Sequence, residues 1–128
     1  MRAADTNVVV RLLVADDPEQ VAAAERFLNA AGTVWVSHVV LVETIWVLGS
    51  VYARTRAQMI AAVESLLDHQ RLVLQEANLV AAALELYRVR GRVGFSDCLV
   101  LCIARSAGHL PLATFDGALG KLDGTKQL

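Results

Sequence analysis

The chain has 128 residues, of which 55% are hydrophobic, and a formal net charge of -1. This is enough for one compact domain, residues 1–128, with a real core, and too little for two ordinary ones. A pI of about 6.3 excludes a protein that holds nucleic acid by bulk charge alone, so any such contact must be local.

In chain order, Arg2 to Ala4 reads as a short first strand and Asn7 to Ala15 as a short helix. With Asp5 so near the start and no apolar run after a basic one, no signal peptide is expected, and the cytoplasm is the expected compartment. Asp17 then opens a second helix as N-cap, with Pro18 at its first position and Gln20 at capping-box spacing; Gly32 ends it. Thr33 to Val36 is a β-branched and aromatic strand, and Ser37 caps a helix through Trp46 to about Val51.

The stretch Val34 to Ala53 is as long as a membrane span but carries Glu43 at its middle. A mid-bilayer carboxylate costs roughly 2.5–3.5 kcal/mol on insertion scales, so a buried strand and a buried helix are expected there, and no membrane. Thr55 and Gln58 repeat the capping-box spacing and open a helix to about His69, before a third strand, Leu72 to Leu74. Glu76 to Arg90 is helical with Gly91 as its stop; Ser96 or Asp97 opens the next helix and Gly108 closes it. Leu112 to Thr114 makes a fourth strand, and Thr125 to Leu128 is weakly marked as a fifth. Strands alternating with helices predict an α/β fold with parallel pairing, whose sites lie beyond the carboxyl ends of the strands.

Four carboxylates stand out. The helical neighbours of Glu43, namely Val39, Val40, Trp46 and Val47, offer it no partner, and a lone buried carboxylate is expensive, so Glu43 reads either as reaching a backbone N–H or solvent at a helix end or as held there by a cation or a catalytic role. Asp5 follows the first strand, Asp116 the fourth, and Asp97 opens an apolar helix. Taken singly, each of these three reads first as a cap, turn or helix-start residue. Together they predict an acidic pocket, which needs a cation to offset the mutual repulsion; an all-oxygen set suits Mg²⁺ or Mn²⁺. Cys98, Cys102 and His109 lack structural-zinc spacing, and the two cysteines are expected in the core.

These residues carry a family resemblance. The ordered set of Asp5-Thr6-Asn7 followed by aliphatics, Ser37 to Leu48 containing Glu43, Phe95-Ser96-Asp97 opening a helix, and Thr114-Phe115-Asp116 resembles the PIN domain, especially the VapC-like toxins of bacterial toxin–antitoxin pairs. The resemblance spans nearly the whole chain. It implies a three-layer α/β/α sandwich around a central, mostly parallel sheet of four to five short strands, with Asp5, Glu43, Asp97 and Asp116 as acidic site residues. Thr6, Asn7 and Thr114 would support them. Two features depart from the family: the first strand is less apolar than usual, and the tail from Gly117 to Leu128 is glycine-rich and short of hydrophobics.

The implied activity is endoribonuclease cleavage by metal-activated water attacking a phosphodiester in line. No lysine or histidine is placed as general base, and His38 reads as a capping or surface residue. Arg90 and Arg92, close before Asp97, are candidates to lead RNA to the pocket, with Arg54 and Arg56 as a second patch, whereas Arg88 reads as a solvated helix end. The mean hydropathy of +0.47 predicts more apolar surface than a monomer hides. This fits the family's homodimers and their small antitoxin, through which DNA is bound indirectly; Val47, Val51 and Tyr52 are the contact candidates. A receiver domain would need a lysine near the fourth or fifth strand end, and a haloacid-dehalogenase-type domain an Asp where Asn7 stands. A PIN-like fold serving only as an RNA- or protein-binding module is the rival from another class.

Overall fold

In the computed structural model, which describes residues 1–128, the first strand is only two residues long: β1, Arg2–Ala3. It is followed by α1 (Thr6–Leu13), α2 (Pro18–Ala31), β2 (Val34–Val36), α3 (His38–Ser50), α4 (Arg56–Asp68) and β3 (Leu72–Leu74). The next elements are α5 (Ala77–Val89), α6 (Phe95–Ser106), β4 (Leu112–Thr114), a 3₁₀ turn at Leu119–Lys121 and β5 (Thr125–Gln127). The residues form two compact units, Met1–Ala77 and Asn78–Leu128. The class is α/β, as expected, and every strand pair is parallel, but the strands divide into a sheet of three, ordered β1-β2-β3, and a sheet of two, β4-β5. No helix is long and apolar enough to cross a membrane.

In the first unit β2 and β3 alternate strictly, whereas both residues of β1 are exposed. Val34 and Val36 are fully buried while Trp35 between them is 37% exposed, and in the register Val34↔Leu72, Val36↔Leu74 the two buried rows lie side by side. Each such side chain contributes about 1.5–3 kcal/mol of burial, which is how a three-residue strand holds its register. The caps read from the sequence are present: Asp17 accepts from the Gln20 N–H at 3.1 Å and Ser37 from the Val40 N–H at 3.1 Å. At α4 the box is complete, with Thr55 Oγ1 accepting from Gln58 N–H and Gln58 Oε1 from Thr55 N–H.

At α2 the box is not formed. The Gln20 side chain instead accepts from Arg11 Nε at 2.7 Å. Arg11 also pairs with Asp16 and donates to the Tyr52 hydroxyl at 3.0 Å, and that hydroxyl donates to Asp16 at 2.8 Å. One guanidinium thus ties α1 to the start of α2 and the end of α3. It also commits Tyr52, a contact candidate from the sequence, to an internal network.

The expectation that the segment after Val34 is a buried helix is corrected. Helix α3 buries Leu41, Thr44, Ile45 and Leu48 but leaves Val39 and Trp46 each 68% exposed and Val51 64% exposed. Its residues are apolar nearly all round, so the sequence carries no periodic contrast from which to read the inner face.

In the second unit, Tyr87 of α5 meets Phe95 of α6 edge to face, with centroids 5.9 Å apart at 84°. Cys98 and Cys102 are buried on α6, as expected, and form no disulfide. Burial raises the Cys102 pKa, against the opposing charge of Arg105. Strand β5 exists despite its polar sequence because it pairs with β4 over Leu112↔Thr125 to Thr114↔Gln127. Its closure requires glycine at position 120, where a Cβ would stand 2.8 Å from the Cβ of Gln127.

Candidate active site

Three of the four predicted acids follow the carboxyl ends of strands or the helix one of them leads into. Asp5 lies two residues after β1, Glu43 lies on α3 directly after β2, and Asp116 lies two residues after β4. Asp97 sits in the first turn of α6.

In the first unit, Asp5 is the N-cap of α1 and one carboxylate oxygen accepts from the Thr6 N–H at 2.7 Å. The same Thr6, 8% exposed, donates its hydroxyl to Glu43 Oε2 at 2.8 Å across 37 residues. Thr6 therefore bonds both candidate site acids of this unit. Glu43 reaches solvent on the exposed face of α3, as one of its two readings had it, and its hydrogen bond comes from α1 rather than from its own helix. Asn7, predicted as a supporting residue, faces another way; with Arg11, Gln20 and Phe27 it lines a groove of about 300 Å³ between α1 and α2.

In the second unit, α6 does not open at Ser96 or Asp97. It opens at Phe95, with Gly94 as N-cap and no side-chain cap bond. Phe95, 2% exposed against Tyr87, anchors the helix start by packing, and so the Asp97 carboxylate is not used as a cap. Burial first, and then the negative charge of Asp116, raise the Asp97 pKa above the ordinary 3.8. No cation or hydrogen bond opposes that rise, although the first turn of a helix ordinarily favours the charged form. Asp116 gives one oxygen, Oδ2, to the Leu119 N–H at 2.8 Å, and its own N–H donates to Thr114 Oγ1 at 3.0 Å. It is thus both the turn former that its sequence context offers and a charge felt by Asp97.

No group of three or more histidine, cysteine, aspartate or glutamate side chains is arranged to hold a metal ion. What the structure does bring together is an uncompensated pair of oxygen donors, Asp97 and Asp116, and a Thr6–Glu43 pair with Asp5 beside it. Hard oxygen donors that repel one another match the chemistry of Mg²⁺ or Mn²⁺.

A family model for the PIN domain matches residues 3–124. The chain belongs to the PIN-domain family. The PIN domain is generally a nuclease fold, and its nucleases usually use Mg²⁺. Neither a curated protein nor a solved structure matches this PIN domain.

Among the basic candidates of this PIN domain, Arg88 pairs with Glu85 on its own helix at 3.0 Å, which agrees with its reading as a helix-end residue. Arg54 lies over the Tyr52 ring at 5.9 Å and borders a cavity of about 320 Å³ with Leu48 and Gln58. Arg90 and Arg92 border a separate cavity in the second unit together with Lys121. Lys121 was not among the basic candidates of the sequence, where it counts only as a lysine that comes after Asp116. Its signal was the position five residues after Asp116, matching Arg92 five residues before Asp97. His38 is half-buried, with its Nε2 enclosed and without a hydrogen-bond partner, while its backbone N–H donates to Gln75 Oε1 at 2.9 Å. It is therefore not the capping or surface residue expected.

Proposed function

We propose that this PIN domain is a Mg²⁺- or Mn²⁺-dependent endoribonuclease with Asp5, Glu43, Asp97 and Asp116 as its acidic residues. The observation that carries the reading is the pair Asp97 and Asp116: two carboxylates near enough to repel, one of them partly desolvated, with nothing of opposite charge acting on Asp97. Such an arrangement costs stability in the absence of a cation, and a catalytic role accounts for its presence.

Asp97 and Asp116 would hold the cation in the second unit, and Asp5 and Glu43 are the carboxylates the first unit contributes to the reading. When bound, the metal supplies positive charge for the phosphate and acidifies a water for in-line attack. The chain's own groups do the rest. The Thr6 hydroxyl fixes the orientation of Glu43, and its N–H fixes Asp5. Thr114 and the Leu119 N–H hold Asp116 at the turn after β4. Arg90 and Arg92 favour the RNA backbone, with Arg54 and Arg56 as a further basic pair.

The biological setting that fits best is the toxin of a toxin–antitoxin pair in the cytoplasm. Val39 and Trp46, exposed on α3, and Val51 just past its end support a homodimer or a small antitoxin covering them, with DNA bound only through that antitoxin.

The test is cleavage of a mixed cellular RNA pool by the purified chain in Mg²⁺ or Mn²⁺, with EDTA controls and any co-purifying protein removed. Metal-dependent cutting that Asp97→Asn abolishes supports the reading. No cutting, with Asp97→Asn binding the metal as the parent does, replaces it with a non-catalytic PIN-like binding module.

A further inference from the structure

We infer that the cavity formed by Arg90, Gly91, Arg92 and Lys121 is a phosphate cradle that holds an RNA strand beside the acidic pair; this rests on the ribonuclease reading. The cavity measures about 230 Å³ and its remaining wall is apolar: Val89, Val93, Ala118 and Leu122. Pockets for drug-sized ligands run from about 300 to 1,000 Å³, so this one suits a fragment, one phosphate with part of its sugar.

The chemistry of the lining is that of an anion with an apolar neighbour. Three cationic residues, Arg90, Arg92 and Lys121, line it from two segments distant in sequence. Buried Val93 and Leu122 form a floor against which a ribose face can rest. A carboxylate-rich partner would not need that floor.

Its place along the chain joins it to the acids. The loop carrying Arg90 and Arg92 runs directly into α6, which carries Asp97, while Lys121 ends the 3₁₀ turn whose first N–H groups are held by Asp116. Each carboxylate of the pair is thus five residues from a cation of the cradle. Repelling acids cannot draw in a polyanion, so the attraction must come from cations fixed to the same segments. A phosphate neighbouring the scissile one on the same strand is the ligand this juxtaposition fits.

The experiment is fluorescence anisotropy of a labelled single-stranded oligoribonucleotide with the full chain in EDTA, in an Asp97→Asn background so that binding is read apart from cutting. Arg92→Ala with Lys121→Ala is expected to bind at least about tenfold more weakly. Its log–log salt slope should be shallower by about 0.7 for one lost phosphate. Arg92→Lys with Lys121→Arg keeps both charges and recovers most of the affinity, Lys121→Glu alone weakens binding, and Arg26→Ala, on exposed α2, leaves it near the parent's.

Unchanged affinity and slope in the alanine pair, an equal loss in Arg26→Ala, or no binding by the parent overturns the cradle. Competition by adenosine monophosphate separates the sources: displacement only far above the concentration at which unlabelled RNA competes supports a strand, and displacement at equal phosphate concentration overturns it in favour of a free nucleotide. Cleavage is measured separately in Mg²⁺ with Asp97 intact. A parent that cuts nothing removes the nuclease reading and leaves the binding result standing; a parent that cuts, with the alanine pair binding and cutting equally well, removes the cradle alone.

Discussion

The Thr6 hydroxyl donates to Glu43 Oε2 at 2.8 Å, joining the first turn of α1 to the middle of α3. Thr6→Val keeps the shape and removes the donor. Because Glu43 is open to solvent, water replaces the bond on the carboxylate, and the expected loss of stability is about 1 kcal/mol in thermal melting. Metal-dependent cleavage is expected to fall about tenfold or more, since the carboxylate is no longer oriented. Glu43→Gln retains an acceptor for Thr6 and should melt like the parent while cutting less well than Thr6→Val. Equal activity in both variants and the parent would remove Glu43 from the site.

Asp97 links acidity to stability. Its pKa is raised in the folded chain, chiefly by burial and then by Asp116, so the folded state holds the proton more tightly than the unfolded one. Stability from this group therefore falls as pH rises from the ordinary value of 3.8 through the raised folded value, and the full penalty is present at neutral pH. Asp97→Asn is expected to melt above the parent at pH 7, with the difference gone below that window. A saturating divalent cation should reverse the order, adding about 2.7 kcal/mol to the parent at one hundred times its dissociation constant and little to the variant. A parent whose melting ignores Mg²⁺ and Mn²⁺ alike would contradict this.

His38 encloses an Nε2 that meets no partner, and a buried group left in that state costs about 1–3 kcal/mol. His38→Phe fills the same space without the orphan atom and is expected to raise stability by about 1 kcal/mol in denaturant titration, with cleavage retained. Loss of cleavage at unchanged stability would instead make His38 the general base that the sequence does not reveal.

Much of this was legible in the chain because it is encoded locally. Asp17, Ser37 and Thr55 each supply an oxygen to an N–H three residues on, and such short-range chemistry leaves a sequence pattern. What was not legible depends on distant partners. Arg11 diverts Gln20 from its box, Thr6 reaches Glu43 across 37 residues, and Phe95 starts α6 by packing on Tyr87 where a polar cap was expected. The fifth strand, weakly marked in the sequence, does form at Thr125–Gln127, where pairing with β4 supplies what its polar residues do not. For the acids, position after a strand was readable, whereas which of them share a neighbourhood was not.

Trp46 lies one helical turn beyond Glu43 on the same face of α3, and its indole is 68% exposed, against 37% for Trp35, the other tryptophan. The chain thus carries its own optical reporter next to a proposed site residue. Water around the ring should set its emission toward the red, and anything that settles on that face, whether a second protomer or a small protein, should move the emission to the blue. Covering of Glu43 can then be followed in unlabelled protein, in the same cuvette as the cleavage reaction.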